Sequence, residues 1–79
     1  MESIEEIKEK IKRLILEVSE VNVEDEELLL DEEILDSISI LYIVTELEDS
    51  YQIQIPMDFV TEKNFKNVES IAKLVISMG

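Results

Sequence analysis

At 79 residues, 46% of them hydrophobic, the chain is sized for a single domain over 1–79 with no disulfide to staple it, a class whose one core supplies roughly 3–5 kcal/mol. Having neither Cys nor His, the polypeptide cannot itself perform thiol chemistry or imidazole base catalysis, so either would come from an added group or a partner. Twenty acids against seven bases give a net charge of −13, a field that repels nucleic acid and anionic lipid and attracts proteins with basic patches.

The first element is an amphipathic helix. Ser3 and Glu6 stand at capping-box spacing, and Ile4, Ile7, Ile11, Leu14, Ile15 and Val18 recur at helical offsets. On its outer face Glu6 precedes Lys10 and Glu9 precedes Arg13 by four residues, pairs that add only ~0.2–0.5 kcal/mol each. The opening stretch Met1-Glu2-Ser3-Ile4-Glu5-Glu6 is acidic, and no apolar run approaches the ~20 residues of a membrane span. The expected location is the cytoplasm, with no membrane insertion.

Residues 19–35 read as a long connector, with Val21, Val23, Leu28, Leu29, Leu30, Ile34 and Leu35 available to pin it to the core. It lies within a span, 14–62, that holds fifteen acids and no basic residue. Asp25, Glu27, Asp31 and Glu33 invite comparison with a calcium loop, but the mid-loop Gly is missing and Leu28–Leu30 fill ligand or turn positions. No metal site is assigned, and any divalent cation held by these acids is expected to bind nonspecifically.

The connector ends at Ile34-Leu35-Asp36-Ser37-Ile38-Ser39-Ile40-Leu41. Asp36 is placed to cap a new helix by accepting from an amide two or three residues on, leaving the Ser37 hydroxyl in the first turn near solvent. An oxygen there is chemically addressable. Ser50 and Ser70 also lie among acids, but neither opens a helix after Asp. The spacing predicts this second helix over Ser37–Tyr51, with Ile40, Ile43, Val44, Leu47 and Tyr51 inward and Ser39, Tyr42, Thr45, Glu46 and Asp49 on or near the outer face. Ile38 and Leu41 suit either the core or an apolar contact patch beside Ser37.

Gln52-Ile53-Gln54-Ile55-Pro56 alternates as a strand would, but with no partner run it reads as an extended link, and Pro56 suits the start of a helix. Met57–Phe65 is expected to form one or two short turns anchored by Phe59, Val60 and Phe65. Asn67 then caps a last helix with Val68, Ile71, Ala72, Leu74, Val75 and Met78 inward. With one Gly and one Pro there is too little turn chemistry for a β-sandwich. The expected fold is all-α: a small four-helix bundle of three longer helices and a short third one.

This sequence resembles the acyl carrier protein family over nearly its whole length. The features that carry the likeness are the amphipathic first helix, the long acidic connector, the Asp36-Ser37-Ile38 motif opening helix two, the acidic end Glu46-Leu47-Glu48-Asp49, and Ile55-Pro56 before a short third helix, with Pro56 nineteen residues after Ser37. The resemblance implies that Ser37 is esterified by a 4′-phosphopantetheine arm, taken from coenzyme A by a separate phosphopantetheinyl transferase. A phosphodiester there would meet free amides and the positive end of the helix dipole. The arm would supply the missing thiol and hold an acyl or aminoacyl group as a thioester for partner enzymes, so that the domain, expected to be a monomer, catalyses nothing itself. Asp36 would support the transferase complex, and Ile38, Leu41, Tyr42, Thr45, Glu48 and Asp49 match helix-two positions touched by loading and transferring enzymes with basic docking patches.

Three departures bear on cargo. Fatty-acid-synthesis carriers usually have Gly where this chain has Ile34, and acids where it has Ser39 and Tyr42. The Ile-Leu-Asp-Ser-Ile form looks closer to stand-alone D-alanyl, aminoacyl or peptidyl-type carriers than to those of lipid biosynthesis. The reading of a different class is an unmodified acidic helical interaction module.

Overall fold

A computed structural model describes residues 3–79; Met1 and Glu2, part of the acidic opening stretch, lie outside the described residues. In chain order it has α1 (Ile4–Ser19), α2 (Ser37–Tyr51), a 3-10 turn (Met57–Phe59) and α3 (Val68–Met78). The described residues are thus all-helical with three α-helices. The expected short third helix is a single 3-10 turn of three residues, because Pro56 fixes its start and the Val60 amide closes directly onto the Met57 carbonyl.

Each α-helix starts where a side chain supplies an acceptor. Ser3 and Glu6 form the reciprocal capping box of α1, Asp36 caps α2, and the Asn67 side chain accepts from the Ser70 amide at 2.8 Å to cap α3. The Glu6 carboxylate is engaged at this cap, and neither Glu6–Lys10 nor Glu9–Arg13 forms an ion pair among the described residues. The ends of α1 and α2 are handled without glycine: Glu20 and Gln52, following them, adopt left-handed backbone at φ 61° and 54°.

α1 packs along α3 and, less extensively, α2. The core takes Ile7, Ile11, Leu14 and Ile15 from α1, Ile43, Val44 and Leu47 from α2, and Val68, Ile71, Ala72, Leu74 and Val75 from α3. Each of the Val, Leu and Ile side chains, fully buried, contributes roughly 1.5–3 kcal/mol, and Ala72 less. Ile53 and Ile55 of the extended link alternate into this core between exposed Gln52 and Gln54, so a two-residue period serves without a sheet. Of the expected anchors around the turn, Phe65 is 0% exposed and Phe59 42% exposed, and Phe59 is therefore a surface residue.

The connector is tied down on three sides. Val23, Leu29 and Leu35 enter the core, while Val21 and Leu28 stay exposed, so two of the seven expected pins do not hold. The Leu29 amide donates to the Lys66 carbonyl (2.8 Å), and the Glu69 amide to the Asp25 carbonyl (3.1 Å). The Asp25 side chain faces α1, with Lys8 Nζ at 3.2 Å and Lys12 Nζ at 2.6 Å. These ammonium groups, Lys12 first, hold the Asp25 carboxyl below its ordinary range against the opposing effect of burial. Part of the basic charge of α1 is therefore spent on latching the acidic connector.

Candidate functional site

Ser37 is the first residue of α2 and is exposed. Asp36 holds extended backbone (φ −114°, ψ −177°), its Oδ1 accepts from the Ser39 amide at 2.8 Å, and its carbonyl accepts from the Ile40 amide at 3.0 Å. The carboxylate is thereby turned onto the helix axis and away from competition for the Ser37 hydroxyl. Hydrogen bonds from the Ser39 amide, then the Ser39 hydroxyl, keep the Asp36 carboxyl below its usual range, so it is ionised at neutral pH. Behind the cap, the first turn of α2 carries no acid, leaving its amides and dipole to favour a negative group on Ser37.

A groove of about 520 Å³ opens beside this serine. Its wall is mainly apolar, built from Leu30 and Leu35 of the connector, Ile40 of α2, and Met57, Val60 and Phe65 beyond it, with Asp36, Ser37, Thr61 and Glu62 as polar members. Connector, α2 and the 3-10 turn thus converge on one hydroxyl. A flexible polar arm anchored at Ser37 has room to lie along this groove, which makes the residues present compatible with a covalent phosphopantetheine group.

The other residues singled out in the sequence fall into two sets. Ile38 is 79% exposed and, with Leu41 one turn after Ser37 and Met57 in the groove wall, gives the surface around Ser37 an apolar character; Tyr42 and Phe59 are exposed as well. Ile38 and Leu41, ambiguous in the sequence, are surface residues. Partial desolvation pushes the Tyr42 phenol up, with the carboxylates of Glu17 and Glu46 adding to it. Thr45 and Asp49 are exposed one and two turns further on, though the Thr45 hydroxyl donates to the Leu41 carbonyl at 2.9 Å. Glu48 differs from its neighbours: it is half-buried and its Oε2 accepts from the Ile55 amide at 2.7 Å.

The sequence placed Ser39 on the outer face and among the departures bearing on cargo, but not its hydroxyl as a partner of Asp36, although Asp-x-x-Ser spacing carries that signal. It also did not place Met57, whose side chain is 67% exposed and lines both this groove and a larger open one of about 970 Å³ along the C-terminal half of α2. Among the described residues no group of three or more acids converges as a metal site, and no helix is long and apolar enough to cross a membrane.

Comparison with curated proteins finds no match. A protein-family model described as "Phosphopantetheine attachment site" matches residues 7–75, which takes in the connector, Ser37, all of α2 and most of α1 and α3. On that match, this chain belongs to the phosphopantetheine-attachment family, whose cofactor is covalently bound 4′-phosphopantetheine.

Proposed function

We propose that Ser37 is the attachment residue and that residues 1–79 form one carrier domain, which holds an acyl or aminoacyl group as a thioester and presents it to partner enzymes. The observation that carries this reading is the exposed Ser37 hydroxyl at the start of α2, with the Asp36 carboxylate drawn off it by the Ser39 amide at 2.8 Å. In the loading step the Ser37 oxygen forms a bond to phosphorus while the pyrophosphate bond of coenzyme A breaks, releasing adenosine 3′,5′-bisphosphate. The hydroxyl proton passes to the transferase, since this chain has no imidazole to receive it. Once attached, the group supplies the thiol on which a thioester is built.

The chain's own contribution is presentation, not catalysis. Ile38, Leu41 and Tyr42 offer apolar contact beside the serine, Thr45 and Asp49 extend the face along α2, and the acid-rich span 14–62 steers transferase and loading enzymes that carry basic patches. Ile34, Ser39 and Tyr42 support a D-alanyl, aminoacyl or peptidyl-type cargo in the cytoplasm over a fatty-acid-synthesis role.

Intact-protein mass spectrometry tests the attachment. The chain is incubated with coenzyme A, magnesium and a broad-specificity phosphopantetheinyl transferase, beside Ser37→Ala. A gain of one phosphopantetheine unit in the unaltered chain alone is expected. A gain that survives Ser37→Ala moves the attachment to another hydroxyl, and no gain in either form favours an unmodified interaction module.

A further inference from the structure

Glu48 collects three backbone amides at the point where α2 ends. Its carbonyl accepts from the Gln52 amide, which closes the left-handed cap, and from the Ile53 amide at 3.2 Å. Its side chain then reaches seven residues forward, where Oε2 accepts from the Ile55 amide at 2.7 Å. One residue therefore stops the helix, turns the chain and sets the register of the link. That register drops Ile53 and Ile55 into the core and delivers Met57 to the wall of the groove that Ser37 opens onto.

We infer that Glu48 is a positioning residue of the carrier site, holding the Met57 wall of the Ser37 groove through the Ile55 amide, and is not chiefly a charge displayed to partners. This rests on Ser37 being the attachment residue only for its functional consequence; the positioning itself is a property of the fold. Glu48 lies among acids with which it shares composition but not surroundings. Asp49 beside it is exposed, and among the described residues its side chain takes part in no ion pair, whereas Glu48 is half-buried and bonded. A carboxylate accepting a partly buried amide makes a stronger bond than a neutral acceptor would, and losing it leaves the amide unpaired.

Length and charge of the side chain can be separated. Glu48→Gln keeps an acceptor oxygen at the same reach and removes the charge; Glu48→Asp keeps the charge and falls one methylene short. Asp49→Asn is the control for loss of an exposed charge. Two readouts are taken on the full-length chain: exchange of the Ile55 amide with solvent deuterium together with the Met57 methyl resonance, and kcat and KM for phosphopantetheine transfer at low and high salt.

With Glu48→Gln, whose neutral oxygen still reaches the amide, Ile55 protection is expected to fall by less than in Glu48→Asp, with the Met57 resonance and the transfer rate staying near those of the unaltered chain. With Glu48→Asp, Ile55 exchange speeds roughly tenfold, Met57 shifts, and the transfer rate falls at both salt concentrations. The inference is overturned if Glu48→Asp behaves as the unaltered chain, or if Glu48→Gln raises KM in the salt-dependent manner of Asp49→Asn. Should the unaltered chain take no phosphopantetheine, the exchange and methyl readouts still decide the positioning, and it is the Ser37 assignment that fails.

Discussion

Phe65 is the largest fully buried side chain of the domain, and it also lines the groove beside Ser37. Truncating a buried phenylalanine to alanine costs about 3–5 kcal/mol, because the lost transfer energy is joined by a cavity the surroundings only partly fill. At roughly 0.05–0.15 kcal/mol per residue, 79 residues hold about 4–12 kcal/mol in total. Phe65→Ala should therefore remove from about a quarter to all of the stability. With a urea slope of about 1 kcal/mol/M, the midpoint should fall by about 3–5 M. Phe65→Leu retains most of the apolar volume and should give a complete unfolding curve at a cost of about 1–2 kcal/mol. Phe59→Ala, at a side chain 42% exposed, should cost less than about 1 kcal/mol. The assay is urea unfolding followed by far-ultraviolet circular dichroism at fixed salt. A Phe65→Ala cost below about 1.5 kcal/mol, or one matching Phe59→Ala, would refute the assignment of core and surface around the 3-10 turn.

The pH dependence should have a maximum on the acid side. Glu32 is held above its ordinary 4.5 by a hydrogen bond with Glu27, then by burial and the charges of Glu27 and Asp31, so its contribution is fully present below 4.5 and lost as pH rises through the elevated value. Asp25 is held below its ordinary 3.8, so its latch to Lys12 and Lys8 is present above 3.8 and lost as pH falls through the depressed value. Thermal unfolding should rise on acidification from neutral toward about 4.5 and drop below 3.8. Glu32→Gln should flatten the rise and Asp25→Asn the drop; a monotonic fall from pH 7 would contradict the Glu32 assignment, and the absence of a drop below 3.8 that of Asp25. Replacing Glu20 (φ 61°) by glycine relieves left-handed strain and removes an acid from a helix C-terminus, and should stabilise by roughly 0.5–1 kcal/mol after the entropic cost of glycine in the unfolded chain; an unchanged or lowered melting temperature would count against it. Asn67→Ala should cost about 1 kcal/mol through loss of the α3 cap, measured in the same melts. Transferase binding should weaken steeply with added salt, as surface titrations at rising ionic strength would show.

What could be read in the sequence divides along a physical line. The α2 boundaries Ser37–Tyr51, the Ser3, Asp36 and Asn67 caps and the inward faces of all three helices follow from local rules, since a cap reaches three residues and a helical face repeats every 3.6. The connector was less legible because its pins have no period: Leu28, Leu29 and Leu30 are adjacent and chemically alike, and only the Leu29 amide's bond to the Lys66 carbonyl selects which of them enters the core. Phe59 and Phe65 were indistinguishable for the same reason. Glu48 is the clearest case, since nothing at short range sets it apart from Glu46 and Asp49, and its partner lies seven residues away in a link whose path the helix end itself determines.

The charge pattern gains meaning from the same long-range contacts. An acidic span of this density works against its own folding, and the structure answers with the few bases available: Lys8 and Lys12 converge on Asp25, where the connector also meets the first turn of α3 through the Glu69 amide. Among the described residues the other acids of the 14–62 span form no ion pair, and Ser37 and exposed Ile38 lie in the middle of that span. Repulsion there costs stability but works at distances beyond those of apolar contact, drawing in basic partners before Ile38 and Tyr42 are touched. Steering and contact are thus divided between residues, which is why neutralising Asp49 should slow association while truncating Ile38 should speed dissociation, a division that stopped-flow binding to the transferase would resolve.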